Sequence, residues 1–256
     1  MIVISSGQLT RLQEQIDAAF VRAEAERLVL YAPPLATSAG QAGLEAAVLL
    51  GLKAARRAGF TETPQIRLYL QLMTSFGSYF DTDPQYEWLH PLLNMTEGLT
   101  TRERARLLYW HSTLYLENAY GKSGLHGIAA GMRASQLDEA TLAAIGTDYA
   151  NRGPALLTHL HPQRSAYLSD STTQLLLDKA ADVARQNRLG GDAAAPLLLC
   201  LMFGFGHGVA DDPLHPWVRE TLSNAALSGT DKTTELLARA QGTLTLMLQP
   251  IREARH

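Results

Sequence analysis

The chain has one cysteine in 256 residues, Cys200, which excludes an internal disulfide. Standing in an apolar run, that thiol reads as a buried small hydrophobe rather than a nucleophile. Charge is also sparse: 22 basic against 25 acidic residues give a net −3, and no long run of either sign appears. No basic face for nucleic acid is advertised. Aromatics make up only 7% of the chain. Long clean apolar runs are missing too. The most membrane-like stretch, residues 193–210, holds Pro196 and three glycines and reaches only the short end of a spanning length. The amino terminus, MIVISSGQL, has neither a basic region nor a long apolar one, so no secretory signal is expected. Sustained strand alternation is absent as well. What is present is 46% hydrophobic residues, enough for real cores.

The dominant feature is a stretch that occurs twice. Residues 76–88 read FGSYFDTDPQYEW and residues 205–217 read FGHGVADDPLHPW. An offset of 129 residues takes Phe76 to Phe205, Gly77 to Gly206, Asp83-Pro84 to Asp212-Pro213 and Trp88 to Trp217, with no gap. The same offset of 129 carries Ile16 to Ile145, Leu28 to Leu157, Pro33 to Pro162, Ala55-Arg56 to Ala184-Arg185 and Leu107-Leu108 to Leu236-Leu237. So long a period reads as a tandem duplication. The expected fold is therefore all-α, two tandem pseudo-repeated helical bundles of four or five helices each. Repeat one covers residues 1–120, a Gly-rich linker 121–137, and repeat two 138–256.

Along the chain, Leu9, Leu12, Ile16 and Phe20 recur at helical spacing in a first helix that ends before Pro33-Pro34. A second helix fills residues 40–59 and ends in glycine, at Gly59 in one copy and Gly190-Gly191 in the other. Third helices start near Pro64 and Pro196, the second being nearly apolar all round and so the more buried. A loop follows at 95–100, then a helix over 101–120.

The repeated stretch reads first as architecture. A helix stops at Gly77 or Gly206, the chain turns, and helix resumes near Asp-Pro, with Asp83 and Asp212 capping free amides. Phe76 and Trp88 are expected to pack from opposite sides of this corner. Pro216 replaces Glu87, so the helix of the second copy starts a turn later. A chemical reading makes His207, Asp211, Asp212 and His215 a metal or acid–base site, with Asp81 and Asp83 in the first copy. The copies disagree there, with Ser78 against His207, Asp81 against Ala210 and Tyr86 against His215, and the spacing is a weak metal signal. Gly121-Lys122-Ser123 lacks the earlier glycine of a phosphate loop, since position 116 is Leu116. His159 and His161 precede Pro162 and read as a helix end. No catalytic residue, metal or cofactor is expected. Tyr109, Trp110, Tyr115 and Tyr120 crowd one helix and are candidate protein-binding or self-association residues, because Tyr and Trp are favoured anchors.

The motif resembles that of small helical accessory proteins of bacterial type VI secretion clusters, in which Gly-x-x-Phe-Asp-x-Asp-Pro is followed closely by Pro-Trp. Gly77, Phe80, Asp81, Asp83, Pro84 and Trp88 match it in the first copy, and Asp212-Pro213 with Pro216-Trp217 in the second. The corner at His159-Leu160-His161-Pro162 is also similar. Glu87 departs from it in the first copy, Val209 and Ala210 in the second. The resemblance implies a non-enzymatic cytoplasmic adaptor or chaperone whose protein partner is a secreted effector or a spike component. The alternatives are a cytoplasmic immunity protein that neutralises a cognate toxin and, requiring metal at the His207 cluster, a metal-dependent enzyme.

Overall fold

Prolines, glycines and capping side chains divide the chain into helices. The computed structural model describes residues 6–94 and 98–253, and among these no strand is found. The order is α1 (Ser6–Tyr31), α2 (Pro33–Arg57), α3 (Thr63–Phe76), α4 (His90–Asn94), α5 (Thr101–Tyr120), α6 (Leu125–Ser135), α7 (Glu139–Gly146), α8 (Tyr149–Leu160), α9 (Pro162–Ser165), α10 (Asp170–Gln186), α11 (Ala194–Phe205), α12 (Pro216–Ser223) and α13 (Gly229–Glu253). The fold is all-α. Residues 95–97 of the expected 95–100 loop, and residues 1–5 of the amino terminus, lie outside the described residues.

Local chemistry explains the boundaries. Thr100 and Glu103 form a reciprocal capping box at the start of α5, and Ser169 caps α10. Pro33-Pro34 separates α1 from α2, as expected. Helix α2 begins earlier than the glycine at position 40 and is kinked there, Gly40 lying at φ 66°. Position 169, which corresponds at the 129 offset, is where α9 gives way to α10.

Corresponding ends are built alike. After α2, Gly59 takes φ 83° and the Phe60 amide donates to the Ala55 carbonyl at 2.9 Å. After α10, Arg188 takes φ 54° and the Leu189 amide donates to the Ala184 carbonyl, also at 2.9 Å. The left-handed residue that ends this helix is thus Arg188, not the expected Gly190-Gly191. The bond pattern of the terminus fixes that position, and the glycines lie beyond it. A cation, buried in the first half and half-buried in the second, then ties each end down. Arg104 donates to the carbonyls of Ala58 and Leu93 at 2.7 and 3.0 Å. Lys232, one residue before the counterpart of Arg104, reaches the carbonyls of Asn187 and Leu222 at 3.4 and 2.7 Å, which lie 129 residues on from Ala58 and Leu93.

Two apolar cores result, one among α1–α5 and one among α7–α13. Between them, residues 121–137 do not form the expected linker: they carry α6, which packs on α5, α8 and α13. Its glycines are absorbed by close packing, Gly127 against the Tyr120 ring and Gly131 against Leu248. Helix α2 is long and apolar enough to cross a membrane, but its Leu44, Val48 and Leu52 are buried between α1 and α3.

Candidate functional site: the seam between the halves

The two copies of the repeated stretch meet each other. Gly77 and Gly206 end α3 and α11 at φ 95° and φ 100° and lie back to back. A Cβ on Gly206 would stand 2.8 Å from the Phe76 carbonyl oxygen, and one on Gly77 would run into the carbonyl of Phe205. Only glycine permits both the backbone angle and this approach.

Each aspartate then serves both halves. Asp83 accepts from the Gln85 amide of its own turn at 3.0 Å and from the His207 amide across the seam at 2.7 Å. Asp212 accepts from the Leu214 amide at 2.8 Å and from the Ser78 amide across the seam at 2.9 Å. The expected caps form, and the same carboxyls also close the seam between the halves. Ser78 and His207 occupy corresponding positions and both reach the opposite carboxyl. Ser78 Oγ donates to Asp212 at 2.5 Å, and His207 Nδ1 lies 3.3 Å from Asp83. Both carboxyls are sealed from solvent, at 0% and 2% exposure.

Beside them the seam exchanges one residue each way. Leu214 enters the first core, where Leu35 also packs. Its counterpart Gln85 enters the second half, donating to the Met202 carbonyl at 3.0 Å and accepting from Arg164 at 3.1 Å. Arg164 corresponds to Leu35, so an apolar pair on one side is replaced by a polar pair on the other. The guanidinium is fully buried. It also donates to the hydroxyls of Tyr86 and Tyr120 at 2.6 and 3.0 Å and covers the Phe203 ring at 4.9 Å. Burial holds the Tyr86 hydroxyl well above its ordinary pKa, so it stays a neutral acceptor for Arg164. Sequence reasoning missed Arg164 and Gln85. The signal was available in the alignment of copies, where each stands opposite a leucine.

The chemical reading of the second copy disperses. Asp212 is engaged as described, Asp211 is exposed and pairs with Arg219 at 2.6 Å, and His215 stacks on Phe205 at 4.3 Å. Burial lowers the His215 pKa and keeps that ring neutral. His207, Asp211, Asp212 and His215 therefore face different partners, and among the described residues no three His, Cys, Asp or Glu side chains converge for a metal. Burial pushes the Cys200 thiol up to about 12, which leaves it a poor nucleophile.

Comparison with protein-family models, with curated proteins and with solved structures yields no match.

The aromatic residues sort into a wall and two outliers. Phe76 is not separated from Trp88 as expected. Its ring meets Tyr86 at 4.5 Å, Tyr115 at 5.7 Å and Trp88 edge-on at 6.4 Å. Tyr115 is buried and Tyr120 half-buried because α5 turns these residues toward the seam. Tyr109 and Trp110 are exposed at 59% and 72% on another face of α5. The four candidate binding residues thus do not form one surface. Trp88 and Tyr115 instead floor an open cavity of about 430 Å³ where the halves join, with Leu114 and Tyr167 at its mouth. Glu87, His111, Asn118 and Thr172 rim it. On the opposite side of the seam the corresponding Trp217, Ala240 and Thr243 are buried.

Proposed function

We propose that the chain is a non-enzymatic protein-binding adaptor or chaperone built from two equivalent halves, and that the aromatic groove at their junction receives its partner. The observation that carries this reading is the contrast within the seam. Its aspartates, Ser78, Gln85 and Arg164 bond to one another, to backbone or to the Tyr86 and Tyr120 hydroxyls, whereas the apolar surface beside them, with Leu114 at 55% and Tyr167 at 46% exposure, stays open. An open aromatic floor with a polar rim suits an aliphatic side chain of a protein segment. Sealed aspartates that each accept from two backbone amides suit architecture better than proton transfer.

The resemblance to type VI secretion accessory proteins supports a narrower version. The partner is then a secreted effector or spike component, held in the cytoplasm before export. Affinity-tagged protein should co-purify with the effector or spike protein encoded beside it, and Leu114→Glu should abolish the capture while leaving the helical spectrum unchanged. Full capture by Leu114→Glu would remove the groove from the reading. Protection of cells from the neighbouring toxin, with export unaffected by deletion, would assign the immunity role instead.

A further inference from the structure

The halves differ at their first helix, and the difference leaves two apolar surfaces exposed. In the second half the short helix α7 packs on α11 and α8 and is hydrogen-bonded to α13. Leu142 and Ile145 are buried there, the Thr234 hydroxyl donates to Glu139 at 3.1 Å, and the Gln241 amide donates to the Leu137 carbonyl at 2.9 Å. In the first half the corresponding segment does not fold over. It continues straight as the start of α1, and every residue from 7 to 16 is exposed. Leu9, Leu12 and Ile16 form one stripe on that arm at 52%, 51% and 52% exposure.

The place that α7 fills is correspondingly open. Between α3 and α5 lies a cavity of about 1060 Å³, lined by Pro64, Leu68, Leu99, Leu107 and Trp110 among others. The counterparts of Leu68 and Leu107 are Leu197 and Leu236, 3% and 0% exposed. At the 129 offset Ile16 takes the place of buried Ile145, while Leu9 and Leu12 stand opposite exposed Asp138 and Thr141, so the arm carries an apolar face of its own, and the turn of the second half is not available to fold it back. The turn after α7 needs Gly146, where a Cβ would collide with the Asp192 carbonyl. Its counterpart is Asp17, which sits in unbroken helix and is clamped to Arg56 of α2 at 2.6 and 2.7 Å.

We infer that the α3–α5 groove is a self-association site that receives the α1 arm of a second copy of this chain, the two copies exchanging arms. The arm suits the groove in length, since ten helical residues span about 15 Å against about 12 Å for the eight of α7. Exchange of corresponding elements lets each copy complete the bundle the other leaves open. The inference rests on the equivalence of the halves, but not on any partner at the seam groove.

Sedimentation velocity on the full chain tests it. The protein should dimerise in the micromolar range, and Leu12→Glu on the arm or Leu68→Glu in the groove should each weaken the dimer by about tenfold or more. An equimolar mixture of those two variants should regain dimer, because the intact arm of one meets the intact groove of the other. Trp110→Ala, at an exposed groove position, provides a second groove variant that cannot disturb the core. A monomer at all concentrations, a dimer indifferent to both substitutions, or no recovery on mixing would overturn the inference. So would a monomer whose arm amides resist hydrogen exchange, since that would place the arm in its own groove.

Discussion

At Gly206 a single added methyl group would strike the opposite half of the molecule. The backbone there is left-handed, at φ 100°, and the methyl carbon would sit 2.8 Å from the Phe76 oxygen and 3.3 Å from the Gly77 Cα. Neither neighbour is a flexible side chain that can move aside. Gly206→Ala should therefore cost at least about 2 kcal/mol, read as a lower urea midpoint at unchanged slope. Gly242 supplies the opposite sign. It is exposed inside α13, with nothing within 4 Å of an added Cβ, so Gly242→Ala should stabilise by about 0.5–1 kcal/mol. Equal effects at the two glycines would contradict the close approach of α3 and α11. That both glycines of the motif mattered was legible in the repeat. That they touch was not, because a repeat reveals corresponding positions and carries no information about which of them meet.

At the scale of elements, most helices were legible because capping and proline act locally: Pro33, Pro64, Pro216 and the Thr100–Glu103 box stand where helices begin. What escaped the sequence depends on packing. The glycines of residues 121–137 suggest a loop, yet they let α6 lie close to α5 and α13. Left-handed Arg188 shows an end pattern overriding residue preference. The junction of α8 and α9 also carries a pH response. His161 ends one helix and caps the next, its Nδ1 accepting from the Arg164 amide at 3.3 Å. Burial and the neighbouring Arg164 charge lower its pKa to about 4 from 6.5. The unfolded chain thus binds the proton first. Stability is fully present above about pH 6.5 and falls as pH drops toward 4, by about 1.4 kcal/mol per pH unit for one histidine at the steepest. His215 acts in the same direction. His161→Gln should flatten the dependence of the urea midpoint between pH 6 and 4.5; an unchanged slope would show that His161 does not titrate with unfolding.

At the scale of the whole molecule, the seam ties the two cores to each other. Neither core is complete alone: Leu214 belongs to the first although it lies in the second half of the chain, and Gln85 satisfies Arg164 and the Met202 carbonyl in the second. If one half unfolded, Asp83 or Asp212 would lose its cross-seam amide, and Arg164 would keep its charge with fewer acceptors. Orphaned buried groups of this kind cost about 1–3 kcal/mol each, more where a charge is involved, which penalises half-folded states. Urea unfolding should accordingly be a single transition despite the chain's two cores. The tryptophans allow the halves to be read separately. Trp88 and Trp110 report the first and Trp217 the second, so fluorescence of Trp217→Phe follows one half and that of Trp88→Phe/Trp110→Phe the other. Within each variant the fluorescence midpoint should coincide with that of far-ultraviolet circular dichroism, which averages both halves. A fluorescence curve that separates from the dichroism curve would show that the halves unfold independently, and the seam would then be a contact between two domains rather than the element that unites them.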